Sequence, residues 1–363
     1  MSGLITHAAF AVACLSIFFT LFVDACTGIK LTTKDGMAVH GRTLEFGLPV
    51  AVTTVVIPRK YAFQTTTSLG TGMVYTSKYA AVGAIAFDSV AILDGMNEKG
   101  LCVGTFYFPS YAEYVPTTLE NQSKSLSPID FPNWVLTQFA NLEEVKAALG
   151  GVVIAPTLVK GWGNIPAPFH YIVFEKGGDA IVIEPMDGKL IVHPNPLGVL
   201  TNSPSFDWHW DNLRNFLHLS PYNVVEKTVA GKKIVPFGQG SGMIGLPGDF
   251  TPPSRFVRAA LFIAAATPVD HTKNAVWQAF HILNNFDIPK GVAREKSDSH
   301  YMSDFTQLTC VRDPNDLKYY FKSYDDQTVK VIDLKKFNFD AKEVKQWAVT
   351  GEGEFVDVTR LVK

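Results

Sequence analysis

Apolar and polar positions divide the chain into one long uncharged run followed by short alternating segments. The run Ala8–Val23 has the length of a secretory apolar core and is shorter than a comfortable membrane span. After it, Cys26–Thr32 alternates between apolar and polar residues, Asp35-Gly36 is a hairpin signal, and Met37–Glu45 resumes an extended pattern. This pattern predicts a β-hairpin that begins at Cys26.

The predicted hairpin has a consequence for the residues beside Cys26. If the strands pair about Asp35-Gly36, the returning strand brings Arg42 and Glu45 back to the level of the cysteine. An arginine there would favour the thiolate, and a carboxylate could accept a hydrogen bond from an α-ammonium group. Periodicity alone is equally compatible with a solvent-exposed arginine and glutamate on an edge strand.

The rest of the chain continues without a repeat or a long linker, which predicts one α+β domain over 26–363. Strands are predicted at Ala51–Ile57, Val90–Leu93, Leu101–Phe106, Tyr171–Phe174 and Ala180–Glu184. Helices are predicted at Pro132–Leu149 and Arg255–Ala265. The stretch Val224–Gly248 is predicted to be a loop or hairpin insertion that borders a pocket or a subunit contact.

Composition and charge exclude several classes of protein. Of 363 residues, 47% are apolar and 18% are charged, and 32 Lys+Arg against 34 Asp+Glu leave a net charge of −2. These values rule out a disordered or nucleic-acid-binding chain. No H-x-x-x-H or C-x-x-C spacing occurs, and Gly238–Gly242 lacks the lysine of a phosphate loop. We therefore predict no metal, no cofactor and no nucleic-acid partner.

The segment before Cys26 fits an export leader. Val23 and Ala25 are the small residues expected before a cleavage site, although the segment 1–25 contains no Lys or Arg. We expect removal of residues 1–25, no membrane span in the processed chain, and a protein exported to the periplasm or the extracellular space.

A cysteine directly after such a leader has three interpretations. The first is a lipidated cysteine, although Asp24 fits a lipoprotein cleavage box poorly. The second is a structural cysteine: Cys26, Cys102 and Cys310 allow at most one disulfide, and a Cys102–Cys310 bond stays possible after export. The third is an N-terminal nucleophile. Its α-amine, with an unperturbed pKa of about 7.7–8.0, would take the proton of the thiol.

Motifs in the following sequence favour the third interpretation. Cys26-Thr27-Gly28 and the later Gly41–Glu45 (GRTLE) resemble the opening of the choloylglycine hydrolases, which comprise bile salt hydrolases and penicillin V acylases. Further similar motifs follow in the same order, at Asn97–Leu101, Phe106–Pro109, Leu200–Trp208, Gly245–Asp249 and Ser254–Arg258. The resemblance covers essentially residues 26–363, and it implies a four-layer αββα sandwich of two antiparallel sheets.

The resemblance also implies roles for individual residues. Cys26 matches the nucleophile and Arg42 matches the arginine near its sulfur, whereas Glu45 stands where the family usually has aspartate. Asn202 matches an asparagine whose side-chain amide contributes to the oxyanion hole. Without the resemblance, Asn202 is equally interpreted as a turn residue before Ser203-Pro204. Arg255 matches a second active-site arginine.

Two aromatic residues bear on the substrate. The backbone N–H of Tyr107 matches the second oxyanion donor, and a tyrosine here is more typical of penicillin V acylases than of bile salt hydrolases. The rings of Tyr107 and Phe46 would wall an apolar acyl pocket, or they are simply core residues.

These observations predict an exported thiol amidase. The substrate predicted first is penicillin V, with acyl-homoserine lactones as natural candidates, and conjugated bile salts are the alternative. A lipid-anchored periplasmic binding protein with a blocked Cys26 is the alternative of another class. By resemblance alone, long hairpins such as the one in Val224–Gly248 imply a homotetramer.

Overall fold

The computed structural model describes residues 25–47, 50–86, 90–159, 165–296, 301–349 and 351–359. Its strands are β1 Cys26–Thr32, β2 Ala38–Phe46, β3 Thr53–Ile57, β4 Ala62–Thr67, β5 Gly70–Thr76, β6 Ala81–Ile85, β7 Ile92–Asn97, β8 Cys102–Tyr107, β9 Ser125–Leu126, β10 Val153–Ile154, β11 Phe169–Phe174, β12 Ala180–Met186, β13 Lys189–Pro194, β14 Lys227–Val229, β15 Lys232–Ile234, β16 Ala293–Lys296, β17 Tyr301–Asp313, β18 Lys318–Ser323, β19 Lys330–Asp333 and β20 Lys345–Ala348. Its helices are α1 Phe131–Gln138, α2 Leu142–Ala148, α3 Phe206–Leu213, α4 Pro252–Ala265 and α5 Thr272–Leu283. Short 3₁₀ turns lie at Gln122–Lys124, Leu149–Gly151, Arg214–Phe216, Ser241–Met243, Asn284–Phe286 and Leu334–Lys336.

Most strands belong to two antiparallel sheets. One sheet has the order β1-β2-β17-β18-β19, with β16 also paired to β17. The other has eight strands in the order β13-β12-β11-β8-β7-β6-β3-β20. The five strands predicted from the sequence all fall in the eight-stranded sheet, at or near the expected bounds.

Helices cover the outer faces of both sheets. Helices α4 and α5 pack on the sheet that contains β1, β2 and β17, and α1 packs on β7 and β8 of the other sheet. One apolar cluster joins both sheets with α4 and α5, and a second lies between the eight-stranded sheet and α1 and α2. The αββα sandwich that the motifs implied is confirmed.

The first hairpin forms as the alternation predicted, but it is not exposed. Cys26 pairs with Leu44, and all nine residues of β2 are buried. Helix α5 covers one face so closely that a Cβ atom at Gly41 would lie 2.8 Å from Cδ1 of Leu283. Phe106 of the facing sheet covers the other face. The interpretation of β2 as a solvated edge strand is therefore wrong.

Two other predictions are refined by the structure. The helix predicted at Pro132–Leu149 is two helices, because Asn141 caps α2 by accepting a hydrogen bond from the N–H of Glu144 at 2.9 Å. The insertion Val224–Gly248 contains the β14–β15 hairpin, whose six strand residues are all exposed.

Candidate active site

The two neighbours of β1 determine which residues surround Cys26. Strand β2 brings Arg42 to one side of it. On the other side the N–H of Gly28 donates to the carbonyl of Leu200 at 2.7 Å, and the N–H of Leu200 donates back at 3.2 Å. A Cβ atom at position 28 would lie 2.7 Å from Cζ of Phe106, so only glycine fits this close approach. The segment ending at Asn202 is thereby held beside the cysteine.

Arg42 is the cation next to the sulfur. Its Nη2 donates to Sγ of Cys26 at 2.8 Å, and its Nη1 donates to the carbonyl of Thr105 at 2.6 Å. The guanidinium lies 4.4 Å from the centre of the Phe106 ring. Burial opposes the charge, but the nearby Cys26 and Asp94 raise the pKa of Arg42 above its usual value. A permanent cation that donates to sulfur stabilises a thiolate.

Asn202 and Arg255 bind the backbone of Cys26. The nitrogen of Cys26 donates to Oδ1 of Asn202 at 2.9 Å, and Nη2 of Arg255 donates to the same oxygen at 2.7 Å. Nη1 of Arg255 donates to the carbonyl of Cys26 and, at 2.9 Å, to Oγ1 of Thr27. Burial lowers the pKa of Arg255 to about 10, which still leaves it charged at neutral pH.

The amide nitrogen of Asn202 was predicted to face an oxyanion. In the structure it donates to the carbonyl of Tyr107 at 2.9 Å, which uses one of its two N–H bonds. The same contact brings Tyr107, whose backbone was predicted as the second donor, next to Asn202.

Glu45 is placed differently from the prediction. The nitrogen of Cys26 donates to Asn202, whereas Oε1 of Glu45 accepts from Oγ1 of Thr306 at 3.0 Å. The backbone N–H of Glu45 donates to the carbonyl of Ala25 at 3.0 Å. Burial raises the pKa of Glu45 to about 8, with Arg255 partly opposing the shift. The carboxyl group of Glu45 is thus directed towards Thr306 of β17.

A small apolar cavity of about 40 Å³ opens beside the cysteine. Its walls are formed by Cys26, Arg42, Leu44, Glu45, Phe46, Val50, Ala86, Leu93, Thr105, Tyr107 and Phe169. Phe46 and Tyr107 are both buried core residues that also line this cavity. The lining is largely apolar, and a volume of about 40 Å³ leaves room only for the few atoms next to a scissile carbonyl.

Sequence reasoning missed polar residues of β17. Thr306 donates to Glu45, although 261 positions separate them. Asp304 lies two residues earlier on the same strand, and burial raises its pKa to about 7, with Arg255 partly opposing the shift. Only the pairing of β17 with β2 brings these groups to the site, so no local motif could have revealed them.

The described residues also bear on the disulfide, on metal binding and on membrane spans. Cys102 and Cys310 are both free thiols, so the Cys102–Cys310 disulfide is not formed. Among the residues that the structure describes, no cluster of three His, Cys, Asp or Glu side chains is arranged to hold a metal ion. Within the same residues, no helix has both the length and the apolar character needed to span a membrane.

Comparisons with known proteins agree with this geometry. A family model described as linear amide C–N hydrolases, choloylglycine hydrolase family, matches residues 26–347. A bile salt hydrolase/transferase of Clostridium perfringens is 34% identical over 325 residues, which are 89% of this chain and 96% of the relative. The crystal structure of a C. perfringens conjugated bile acid hydrolase has a TM-score of 0.82 at 34% identity, over 92% of this chain and all of that one.

The comparisons also reorder the predicted substrates. A penicillin V acylase of Pectobacterium atrosepticum is 28% identical, over 73% of this chain and 69% of the relative. The bile salt hydrolases match more closely and more completely. The preference for penicillin V, which depended on Tyr107 and Phe46, is therefore less well supported than the bile-salt alternative. The match to hydrolases also disfavours the binding-protein alternative.

The prediction of an exported, periplasmic or extracellular protein is wrong by the same comparison. Bile salt hydrolases of C. perfringens, Bifidobacterium longum and Lactiplantibacillus plantarum are matched over 96%, 98% and 99% of their own length. The unmatched remainder is too short for a leader of 25 residues, so export is not a property that these relatives share. Residues 1–24 lie outside the described residues.

Proposed function

The chain belongs to the choloylglycine hydrolase family and is an amidohydrolase, and we propose that its substrates are conjugated bile salts. The observation that carries the proposal is the arrangement of Cys26, with Arg42 on its sulfur and Asn202 on its nitrogen, beside an apolar cavity. The names of the relatives supply the substrate class, and the small cavity beside Cys26 is largely apolar, which suits the part of an acyl group nearest the carbonyl.

We further propose that residues 1–25 are removed as a leader, which leaves 26–363 as one catalytic domain. Removal converts the nitrogen of Cys26 from a peptide amide to an amine that keeps Asn202 Oδ1 as its hydrogen-bond acceptor. An unperturbed α-amine has a pKa of about 7.7–8.0 and can take the thiol proton near neutral pH. Cys26 then supplies both nucleophile and general base.

The proposed reaction has two steps. The thiolate of Cys26 attacks the amide carbonyl, the α-ammonium group gives its proton to the departing amine, and an acyl thioester remains. Water then gives a proton to the α-amine and attacks the thioester, which releases the acid and restores the thiol. In both steps the second N–H of Asn202 and the backbone N–H of Tyr107 would hold the oxyanion.

Arg42 and Arg255 have separate roles in this proposal. Arg42 stabilises the thiolate through its contact with sulfur. Arg255 fixes Asn202 Oδ1 and the carbonyl of Cys26, so it orients the nucleophile without touching the sulfur. Glu45 would be protonated at neutral pH and would act as a neutral partner of Thr306.

We also propose that the chain forms a homo-oligomer, a tetramer by resemblance. The hairpin β14–β15 and the residues around it expose Val229, Ile234 and Phe237, with Phe237 fully exposed. Such a set of exposed apolar side chains suits a subunit contact. Sedimentation of the wild type and of Phe237→Ser tests this, because a variant as large as the wild type argues against the contact.

The decisive experiment compares substrates on a chain that begins at Cys26. Glycine- and taurine-conjugated bile salts, penicillin V and an acyl-homoserine lactone are each incubated with the protein, and the released amine is quantified. We expect the highest kcat/KM on a bile-salt conjugate. Faster turnover of penicillin V, the candidate that the Tyr107 ring favours, would overturn the substrate assignment. The full chain, whose Cys26 nitrogen is an amide, should be inactive until it is cleaved.

A further inference from the structure

Two buried histidines hold the segment that carries Asn202. Nε2 of His209 lies 2.9 Å from the backbone carbonyl of Asn202, and Nε2 of His170 lies 3.0 Å from the carbonyl of Thr201. A carbonyl oxygen only accepts hydrogen bonds, so each of these ring nitrogens carries a proton and donates it. Both side chains are fully buried, and they come from different elements, α3 and β11.

His209 is a neutral donor with a fixed orientation. Its ring stacks on Phe256 of α4 with centroids 4.6 Å apart. Its Nδ1 is buried and has no hydrogen-bond partner among the described residues, as expected for the unprotonated nitrogen. Burial lowers the pKa of His209 to about 4, so the ring stays neutral at physiological pH.

His170 lies at the end of a chain of contacts between histidine rings and carboxylates. Its Nδ1 lies 3.0 Å from Oε1 of Glu184, whose Oε2 lies 3.3 Å from Nε2 of His193. Nδ1 of His193 in turn lies 3.1 Å from Oδ1 of the exposed Asp207. Although burial opposes it, hydrogen bonding to the two histidines lowers the pKa of Glu184 to about 2. Both nitrogens of His170 therefore face acceptors, one on Glu184 and one on the carbonyl of Thr201.

The side chain of Asn202, in the segment that the two histidines hold, makes three contacts at the site. Oδ1 of Asn202 receives hydrogen bonds from the nitrogen of Cys26 and from Arg255, and its amide nitrogen binds Tyr107. A rotation of the Asn202 peptide plane would displace all three contacts at once. Misplacement of a reacting group by about 1 Å costs on the order of 10²-fold in rate.

We propose that His209 and His170 are positioning residues for Asn202, acting through the carbonyls of Asn202 and Thr201 to hold the amide on the nitrogen of Cys26. Neither ring is among the residues that line the cavity beside Cys26. Their removal should therefore slow the chemical steps without weakening substrate binding. The effect on turnover rests on the proposed function, whereas the effect on the nucleophile does not.

The test uses aromatic replacements that keep the stacking and remove the donor. His209→Phe retains a ring against Phe256, and His209→Gln restores an N–H near the position of Nε2. His170→Phe is combined with Glu184→Gln so that no carboxylate is left buried without its partner. The control is His281→Phe, since His281 is an exposed residue of α5. Thermal unfolding of each variant checks that it is folded.

Turnover and alkylation give two independent readouts on the chain that begins at Cys26. We expect His209→Phe and the double variant to lower kcat roughly 10–100-fold, with KM within about 3-fold of the wild type. His209→Gln should recover most of the loss. His209→Phe and the double variant should also slow the alkylation of Cys26 by iodoacetamide, and His209→Gln should restore most of the wild-type alkylation rate.

The outcomes separate the two proposals. If the wild type hydrolyses none of the amides, the proposed function fails and alkylation alone decides the positioning role. Folded Phe variants with the wild-type alkylation rate overturn that role. So does a His209→Gln variant that is as slow as His209→Phe, because the donor would then be irrelevant.

Discussion

Two buried cysteines of the same sheet have opposite surroundings. Cys26 begins β1, Cys310 lies in β17, and β2 with Arg42 runs between them. The sulfur of Cys26 accepts a hydrogen bond from the guanidinium of Arg42. The thiol of Cys310 instead donates to Oδ1 of Asp94 at 3.1 Å. The charge of the nearest partner, rather than burial, therefore distinguishes the two sites.

The difference explains why a nearby arginine does not by itself create a nucleophile. Nη1 of Arg312 lies 2.9 Å from Oδ2 of Asp94, so this arginine forms an ion pair with a carboxylate rather than a contact with sulfur. Burial, with the charge of Asp94 adding to it, raises the pKa of Cys310 far above that of an ordinary thiol. Burial, with the charges of Asp94 and Asp313 adding to it and that of Arg312 opposing it, raises the pKa of Cys102 to about 12. These two thiols stay protonated at any physiological pH.

The largest predicted effect is the difference in activity between two single variants, Cys26→Ala and Cys310→Ala. Cys26→Ala should reduce amide hydrolysis to the background rate, because nucleophile and thioester are lost. Cys310→Ala should keep kcat within a few-fold and cost about 1–3 kcal/mol of unfolding free energy, since Asp94 loses a donor. For each variant, amine release measures the activity and urea titration measures the unfolding free energy. Substantial hydrolysis by Cys26→Ala would contradict the mechanism.

The two arginines should separate activity from stability. Arg42→Leu should lower kcat/KM by roughly 10²–10³-fold, the usual loss for one donor to a developing charge. Arg312→Leu should cost about 3–5 kcal/mol of unfolding free energy, because it leaves the Asp94 carboxylate buried without its cation. Kinetics and denaturant titration of both variants decide this. Equal losses of activity in two folded variants would erase the distinction between the sites.

The carboxyl group of Glu45 predicts a pH dependence of stability. Glu45, whose pKa is raised to about 8 by burial, binds a proton more tightly in the folded chain than in the unfolded chain. The stability from this proton is complete below about pH 4.5 and is lost as pH rises through 8. Between pH 5 and 9, Tm of the wild type should fall by about 2–4 °C more than that of Glu45→Gln. Parallel Tm curves would show that Glu45 does not titrate there.

The smallest predicted effect is that of Glu45→Asp, which introduces the residue usual in the family. The shorter side chain loses the hydrogen bond from Thr306 but keeps the charge type, so kcat/KM should change by less than about 10-fold. Steady-state kinetics with Glu45→Gln as the matched neutral variant measure this. A loss as large as that of Arg42→Leu would mean that Glu45 contacts the reacting groups directly.

Local sequence patterns predicted the first hairpin correctly, but they predicted one helix where a polar side chain, that of Asn141, starts a second helix. Alternation and the Asp35-Gly36 turn involve residues close in the chain, so the pairing of Cys26 with Leu44 followed from them. The helix predicted at Pro132–Leu149 is interrupted because Asn141 caps a new helix. The motifs also named Asn202 and Arg255, but the partner of each polar atom did not follow from them.

By itself, the sequence determined the nucleophile candidate, the hairpin beside it, the family and the layered fold, because these depend on local periodicity and on motifs of neighbouring residues. Only the tertiary structure decided which cysteine faces a cation and which faces a carboxylate, why Glu45 binds Thr306, and how two histidines grip Asn202. These contacts join residues far apart in sequence. Their chemistry depends on burial and on the sign of the facing charge, which strand pairing and sheet packing set.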